Sequence, residues 1–109
     1  ASDALWSGLP VITKLGDSFT SRGAASTLTS AGLPDLIVRT VEEYEALALD
    51  LAAHPEKIAA LKRRLQETRT TCALFDTSRF ARNIEAAYRH MMGIHARGAG
   101  PEHFKITEA

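Results

Sequence analysis

The stretch ASDALWSGLPVIT, residues 1–13, decides the fold because it changes from helix to strand within a few residues. Asp3 followed by Ala, Leu and Trp is typical of a short helix, which the next glycine and proline end. Residues 10–13 are a short apolar run between breakers and predict a buried strand. Trp6 is expected in the core beneath the helix. There is no initiator methionine, and we expect the sequence to be the later part of a longer protein.

A second strand is predicted at residues 36–38, after a helix of mostly small side chains at 19–31. Gly32 suits the left-handed residue that follows such a helix, and Pro34 stops it. Strand, helix and strand in this order predict a parallel pair with a right-handed crossover. A parallel sheet normally has more strands and is covered on both faces, so we expect one edge of a larger Rossmann-type domain.

The chain after this second strand is predicted to be helical. Thr40 and Glu43 have the spacing of a capping box, which predicts a helix beginning at Val41. Pro55 is suited to be the first residue of the next helix. Asp76 is the predicted N-cap of a long last helix.

The last helix is predicted over residues 77–95, with an apolar stripe richer than so small a domain needs. The stripe consists of Phe80, Ile84, Ala87, Tyr88 and Met91. Residues 97–109 are expected to form an extended tail. The prediction is an α/β fold, mostly helical, with two short parallel strands and about five helices. It divides into a Rossmann-like remnant (1–40), C-terminal helices (41–96) and the tail.

The composition argues against several classes of protein. Lys and Arg number 13, as do Asp and Glu, so the net charge is zero. This balance does not favour a broad surface for nucleic acid or anionic lipid. No apolar run approaches the roughly 18 residues needed to span a bilayer. Cys72 is the single cysteine, so no internal disulfide can form; this fits a reducing compartment, and a cytoplasmic location is expected.

Few residues point to chemistry on their own. The sequence contains no GxGxxG, P-loop or GxSxG motif, and His90 and His95 are spaced so that they do not share a helix face. We therefore predict no catalytic residue and no metal site. Asp3 is either a helix cap or a ligand of ribose hydroxyls at the carboxyl edge of the sheet. Asp17, which follows Gly16 after the first strand, is either a turn former or a second ligand contact.

Two strings in the first part of the chain are specific enough to carry a family resemblance. They are D-x-L-W-x-G-x-P-x-x-T at residues 3–13 and S-R-x-A-A-S at residues 21–26. Both resemble the end of the catalytic region of the O-GlcNAc transferases. That family includes the plant SPINDLY-type fucosyltransferases and bacterial homologues fused to tetratricopeptide repeats. The similarity continues through residues 36–37, 43–44, 74–77 and 101–103, and so covers nearly the whole chain.

The resemblance implies a GT-B fold, in which two Rossmann-like domains enclose the active site, and places this chain at the end of the second domain. It implies transfer of N-acetylglucosamine from UDP-GlcNAc to Ser or Thr hydroxyls by direct displacement, with no cofactor and no metal. The family's His-Thr-Thr run, which contacts the donor diphosphate, would lie just upstream. Its absence here implies that the segment alone is inactive.

The resemblance also assigns a role to one residue. Asp3 occupies the position of the family's ribose-binding aspartate, and Asp17 stays the second candidate for nucleotide-sugar binding. The implied partners are the nucleotide sugar, protein acceptors and the upstream catalytic domain of the same chain, with self-association where the last helix is left uncovered. The alternative is a stand-alone helical interaction module without catalytic activity, in which the helices after Thr40 bind a partner.

Overall fold

The structure is a computed structural model that describes residues 1–107. Five α-helices and two short strands follow one another in this part of the chain, as the sequence predicted. In order they are α1 (Ser2–Trp6), β1 (Thr13–Lys14), α2 (Phe19–Ser30), β2 (Ile37–Val38), α3 (Val41–Ala53), α4 (Pro55–Thr68) and α5 (Thr77–Ala96), with single 3-10 turns at Pro34–Leu36 and Ala73–Phe75.

The chain forms two compact units, Ala1–Phe75 and a second unit that begins at Asp76. The first unit contains both strands and four of the helices, and the second contains α5 and the residues after it. The boundaries predicted at residues 40 and 96 concern the domains of a longer enzyme and stay a prediction.

The two strands pair in parallel, with Thr13 opposite Ile37 and Lys14 opposite Val38. The ladder extends by one bond, since the amide of Leu15 donates to the carbonyl of Val38 at 2.8 Å. Helix α2 is the crossover between the strands. The first strand is shorter than predicted. Residues 10–12 are half-buried but have no ladder partner within residues 1–107. An apolar run predicts that a segment is buried, but it does not predict that another strand lies beside it.

Leucines from separate elements form the core of the first unit. The fully buried side chains are Leu5, Leu28, Leu33 and Leu36, and Ala31 and Leu65 complete the cluster. Leu5 comes from α1, Leu28 from α2 and Leu65 from α4, so one cluster joins three helices. Full burial of a leucine contributes about 1.5–3 kcal/mol, which makes this cluster the main attachment of the five-residue helix α1.

Trp6 is not in the core, and that expectation is wrong. The neighbouring Leu5 takes the inward position of α1, and Trp6 remains 47% exposed. Its ring meets Phe75 edge-on, with centroids 4.9 Å apart. The guanidinium of Arg69 stacks 4.7 Å from the centre of the Trp6 ring, and its Nη1 donates to the Trp6 carbonyl at 3.2 Å. The tryptophan therefore fastens α1 to the end of α4 at the surface.

Helix starts follow the local signals in the sequence. The capping box between Thr40 and Glu43 is formed, and α3 begins at Val41 as predicted. Asp76 caps α5, its Oδ1 accepting from the amide of Arg79 at 2.9 Å. The predicted left-handed glycine is also confirmed, since Gly32 has a φ of 78°.

The residues after α5 return along that helix and do not extend away from it. The rings of His90 and Phe104 lie 4.3 Å apart, and Nη2 of Arg97 is 3.0 Å from a carboxylate oxygen of Glu102. No helix or strand forms between 99 and 107. The last two residues of the predicted tail lie outside the described residues. None of the helices described is both long and apolar enough to cross a membrane.

Gly16 is held against the first turn of α2, and its substitution tests how tightly this loop packs. A Cβ at Gly16 would overlap the side chain of Ser21. We expect Gly16→Ala to lower the free energy of unfolding by about 1–3 kcal/mol through overpacking. Gly23→Ala is the control, because nothing lies within 4 Å of its added Cβ. It should stabilise α2 by about 0.5–1 kcal/mol. Urea unfolding of both variants measures the two effects, and equal stability of Gly16→Ala and wild type would contradict the packed loop.

The Glu43 carboxylate gives a pH-dependent contribution to stability. Hydrogen bonds from the amide of Arg39 and then that of Thr40, with a smaller charge effect of Arg39, hold its pKa below the ordinary 4.5. The folded pKa is lowered, so the stabilisation is present above pH 4.5 and is lost as the pH falls through the lowered pKa. Thermal melting should show Glu43→Gln less stable than wild type at neutral pH, with the difference gone in strong acid. Glu45→Gln, on the same helix, should show no such loss.

Candidate functional site

The carboxyl edge of the small sheet is the place where a ligand is expected. Strand β1 leads into the loop at residues 15–18 and then α2, and strand β2 leads into Arg39 and then α3. Both strands are parallel, so these connections leave the sheet at the same edge. In open α/β sheets this edge is where ligands bind.

Asp3 lies in the first turn of α1 and its side chain is exposed. The N-cap of α1 is Ala1, with no side-chain capping bond, so the carboxylate of Asp3 does not cap the helix. The backbone carbonyl of Asp3 accepts from the amide of Ser7 at 3.1 Å. Within residues 1–107 its carboxylate makes no hydrogen bond and no ion pair. Its position in the first turn agrees with the helix-dipole interpretation, and a carboxylate without a bond in the described chain is equally able to accept hydrogen bonds from a ligand, so both interpretations of Asp3 stay open.

Asp17 is exposed and lies two residues before α2, next to the N-cap residue. The cap of α2 is Ser18, whose Oγ accepts from the amide of Ser21 at 3.2 Å. The carboxylate of Asp17 forms no bond to any other described residue. No contact in this part of the chain brings Asp17 and Asp3 together.

A cavity beside α2 contains residues for which the sequence suggested no role. It has a volume of about 320 Å³, and its polar lining includes Arg22 and Ser26 from α2 and Arg39, the residue after β2. Arg22 belongs to the S-R-x-A-A-S string, but nothing in that string indicated a neighbour from the second strand. The signal that could have found the pair is topological: a crossover helix faces the side chains of the strand that follows it.

A groove between α3 and α4 is a second cavity, of about 310 Å³. Its walls are mainly leucines: Leu36, Leu47, Leu51 and Leu61. At its rim, Nζ of Lys57 donates to Asp50 at 2.7 Å, and Arg64 lies 3.5 Å from Asp35. The bond from Lys57 lowers the pKa of Asp50 below its ordinary value. Every charged group at the rim is therefore paired with an opposite charge, and the groove offers no free reactive group.

No metal centre is formed among the described residues, since no three His, Cys, Asp or Glu side chains converge. His90 packs on Phe104 and lies 4.0 Å from the carboxylate of Glu102. Cys72 is a free, half-buried thiol. Neither the histidine nor the cysteine is arranged with a partner for nucleophilic chemistry.

Residues 1–84 match glycosyl transferase family 41, and the chain belongs to this family. The family resemblance found in the sequence is thus confirmed, on a segment that contains both strings, the two strands and the first four helices.

Curated relatives are similar over nearly the whole chain. A probable UDP-N-acetylglucosamine–peptide N-acetylglucosaminyltransferase of Arabidopsis thaliana, SEC, is 41% identical over 108 residues, which are 98% of this chain and 11% of that protein. A probable enzyme of the same name from Hordeum vulgare, SPINDLY, is 33% identical over 99 residues, 91% of this chain and 10% of that one. The Caenorhabditis elegans transferase is 30% identical over 101 residues, 93% of this chain and 9% of that one. The chain spans about a tenth of the length of these relatives.

Proposed function

We propose that this chain is the C-terminal part of the catalytic region of a protein O-glycosyltransferase. The reaction is the transfer of N-acetylglucosamine from UDP-GlcNAc to Ser or Thr hydroxyls. The observation that carries the proposal is the alignment of 98% of the chain, at 41% identity, with a relative named for UDP-N-acetylglucosamine and peptide substrates. Family membership over residues 1–84 supports the same reaction class.

The proposed role of this segment is to position the donor. The exposed Asp3 carboxylate has no partner within residues 1–107, so it can accept hydrogen bonds from both ribose hydroxyls of UDP-GlcNAc. Helix α1 is a firm support for it, because Leu5 is anchored in the core and Trp6 is clamped by Arg69. A ligand group on a supported element keeps its geometry better than one on a free loop. Asp17 is the second candidate for donor contact.

The remaining parts of the proposal concern the longer enzyme. The parallel pair with its helical crossover agrees with the edge of a Rossmann-like domain, and we assign it to the second domain of a GT-B enzyme. Transfer then proceeds without a cofactor or metal, in the cytoplasm, and tetratricopeptide repeats lie elsewhere in the enzyme. The catalytic groups come from the preceding part of the catalytic region.

A chimera tests the proposal directly. In the Arabidopsis relative, the matching segment is replaced by this chain, and sugar transfer from UDP-GlcNAc to an acceptor protein is measured. We expect the folded chimera to transfer N-acetylglucosamine and the isolated chain to transfer none. A folded chimera that fails to bind UDP-GlcNAc would contradict the assignment, and transfer by the isolated chain would contradict its role as a partial site.

Substitution of Asp3 in that chimera separates ribose binding from a structural role. We expect Asp3→Asn to raise the donor KM about tenfold, because hydrogen bonds to a charged acceptor are worth about 1.5–3 kcal/mol. The melting temperature should hardly change, since the carboxylate makes no bond in the described chain.

Two further variants make this measurement specific. Asp17→Asn tests the second candidate in the same assay, and Glu67→Gln removes an exposed charge of α4 as the matched control. An unchanged KM in Asp3→Asn, with a raised KM in Asp17→Asn, would move the ribose contact to Asp17. If neither variant changes KM, neither carboxylate binds the donor.

The exposed face of α5 is the observation that favours a binding role for this part of the chain. Phe80, Tyr88, Met91 and Met92 are 65%, 59%, 48% and 63% exposed. The first three lie near one line along the helix together with Ile84. Soluble monomers rarely leave large apolar patches uncovered. We propose that the upstream catalytic domain of the same enzyme covers this face, and that copies of the isolated chain cover it for one another.

Sedimentation of the isolated chain tests this second proposal. We expect concentration-dependent self-association that Tyr88→Glu combined with Met91→Glu abolishes, because buried unpaired charge is costly at an apolar contact. Ser78→Glu with Ala96→Glu adds the same charge on the side of α5 opposite to Phe80, Ile84, Tyr88 and Met91 and should leave association unchanged. A wild-type chain that stays monomeric at high concentration would contradict the proposal.

A further inference from the structure

The cavity between α2 and β2 is built from two elements whose side chains face each other. Helix α2 contributes Arg22, Ser26 and Thr29, which share one face because they are spaced by four and three residues. Strand β2 contributes Ile37, and Arg39 follows two residues later on the same side of the backbone. Leu15, Ala25 and Ile37 supply the apolar part of the lining. Both arginines thus line a cavity of about 320 Å³ with a partly apolar wall.

The polar groups of this cavity are available to a ligand. Neither the guanidinium of Arg22, that of Arg39, nor the hydroxyl of Ser26 makes a hydrogen bond within residues 1–107. The hydroxyl of Thr29 is already used, since it donates to the carbonyl of Ala25 at 2.8 Å.

No carboxylate is among the lining residues of the cavity. The acidic residue that interacts with Arg39 is Glu43. Its carboxylate accepts hydrogen bonds from the backbone amides of Arg39 at 2.8 Å and Thr40 at 3.2 Å, and it also interacts with the charge of Arg39. Its charge reduces the positive potential without occupying the cavity. Two arginines and one serine therefore line a space that no acidic residue of the described chain lines.

We propose that the cavity lined by Arg22, Ser26 and Arg39 binds the phosphate group of a phosphomonoester. Guanidinium groups match the oxygens of phosphate two at a time, and a hydroxyl supplies a further donor. Donors from a helix and from the residue after a strand suit an anion with three terminal oxygens better than a carboxylate with two. Arginine stays charged at every physiological pH, so the site is permanently cationic.

An adjoining cleft indicates what the phosphate is attached to. This cleft has a volume of about 470 Å³, is lined by Phe19, Arg22, Gly23 and Ser26, and shares Arg22 and Ser26 with the phosphate cavity. Phe19 is 96% exposed, and nothing lies within 4 Å of the Cβ position of Gly23. The phenyl ring is thus open to stacking by an aromatic group of the ligand. The proposed ligand is therefore an aryl phosphomonoester.

This site is separate from the proposed donor contacts. Neither Asp3 nor Asp17 lines either cavity. The inference does not rest on sugar transfer, and its failure would leave the transferase proposal untouched.

Titration of the full chain with inorganic phosphate and with phenyl phosphate tests the site, with amide NMR shifts as the readout. We expect saturable shifts at Ser26 and Arg39 for both probes, with phenyl phosphate binding about threefold or more tightly because its ring contacts Phe19. Arg22→Gln and Arg39→Gln should each weaken phosphate binding about three- to tenfold. Added NaCl should also weaken it through screening. Phe19→Ser should remove the preference for phenyl phosphate and leave phosphate binding unchanged.

Arg63→Gln is the matched control, since Arg63 is exposed on α4 and makes no bond in the described chain. If Arg63→Gln weakened phosphate binding as much as Arg22→Gln does, the effect would come from the overall charge of the chain, and the proposed site would be overturned. Absence of saturable shifts in the wild type would overturn it as well. The amide spectrum of each variant reports whether it is folded. If Arg39→Gln does not fold, Arg22→Gln and Arg22→Lys test the site instead. Lysine keeps the positive charge but lacks the paired N–H donors of the guanidinium, so Arg22→Lys should also weaken phosphate binding.

Discussion

The burial of Leu5 against Leu28 and Leu65 is the interaction on which the first unit depends. A ladder of two residue pairs cannot hold a sheet together, and α1 is too short to be stable by itself. The leucine cluster supplies the missing free energy by drawing α1, α2 and α4 around the strands. Everything proposed for the carboxyl edge of the sheet relies on this cluster, because it fixes where α1 and α2 begin relative to β1 and β2.

Features encoded within one turn of helix could be predicted from the sequence. Thr40 with Glu43, Pro55 and Asp76 each marked a helix start within a residue, because a cap is a contact between neighbours in the chain. The length of β1 and the position of Trp6 could not be predicted. A strand ends where its partner ends, and Trp6 was displaced from the core by Leu5, its neighbour. Both outcomes depend on residues far away in sequence, since the partner of β1 lies at residues 37–38 and Leu5 takes the inward position by packing against Leu28 and Leu65.

The candidate sites also divide into those that could be predicted from the sequence and those that required the structure. Asp3 could be found because it belongs to a contiguous string, and the structure adds that its carboxylate is unoccupied within residues 1–107. Arg22 and Arg39 could not be paired in advance, since the α2 crossover alone brings them to one cavity. Periodicity places each arginine on a face of its own element. Only the packing of that helix on that strand makes the two faces meet.

The clamp of Trp6 between Phe75 and Arg69 gives the molecule an intrinsic optical reporter. Trp6 is the single tryptophan, its ring is about half exposed, and it lies one helical turn from Asp3. Indole emission depends on water access and on nearby charge, and here both depend on how closely the guanidinium of Arg69 covers the ring. A movement of α1, from ligand arrival or from loosening of the core, therefore changes the fluorescence of one known residue. The chain needs no added label to report on the helix that carries Asp3.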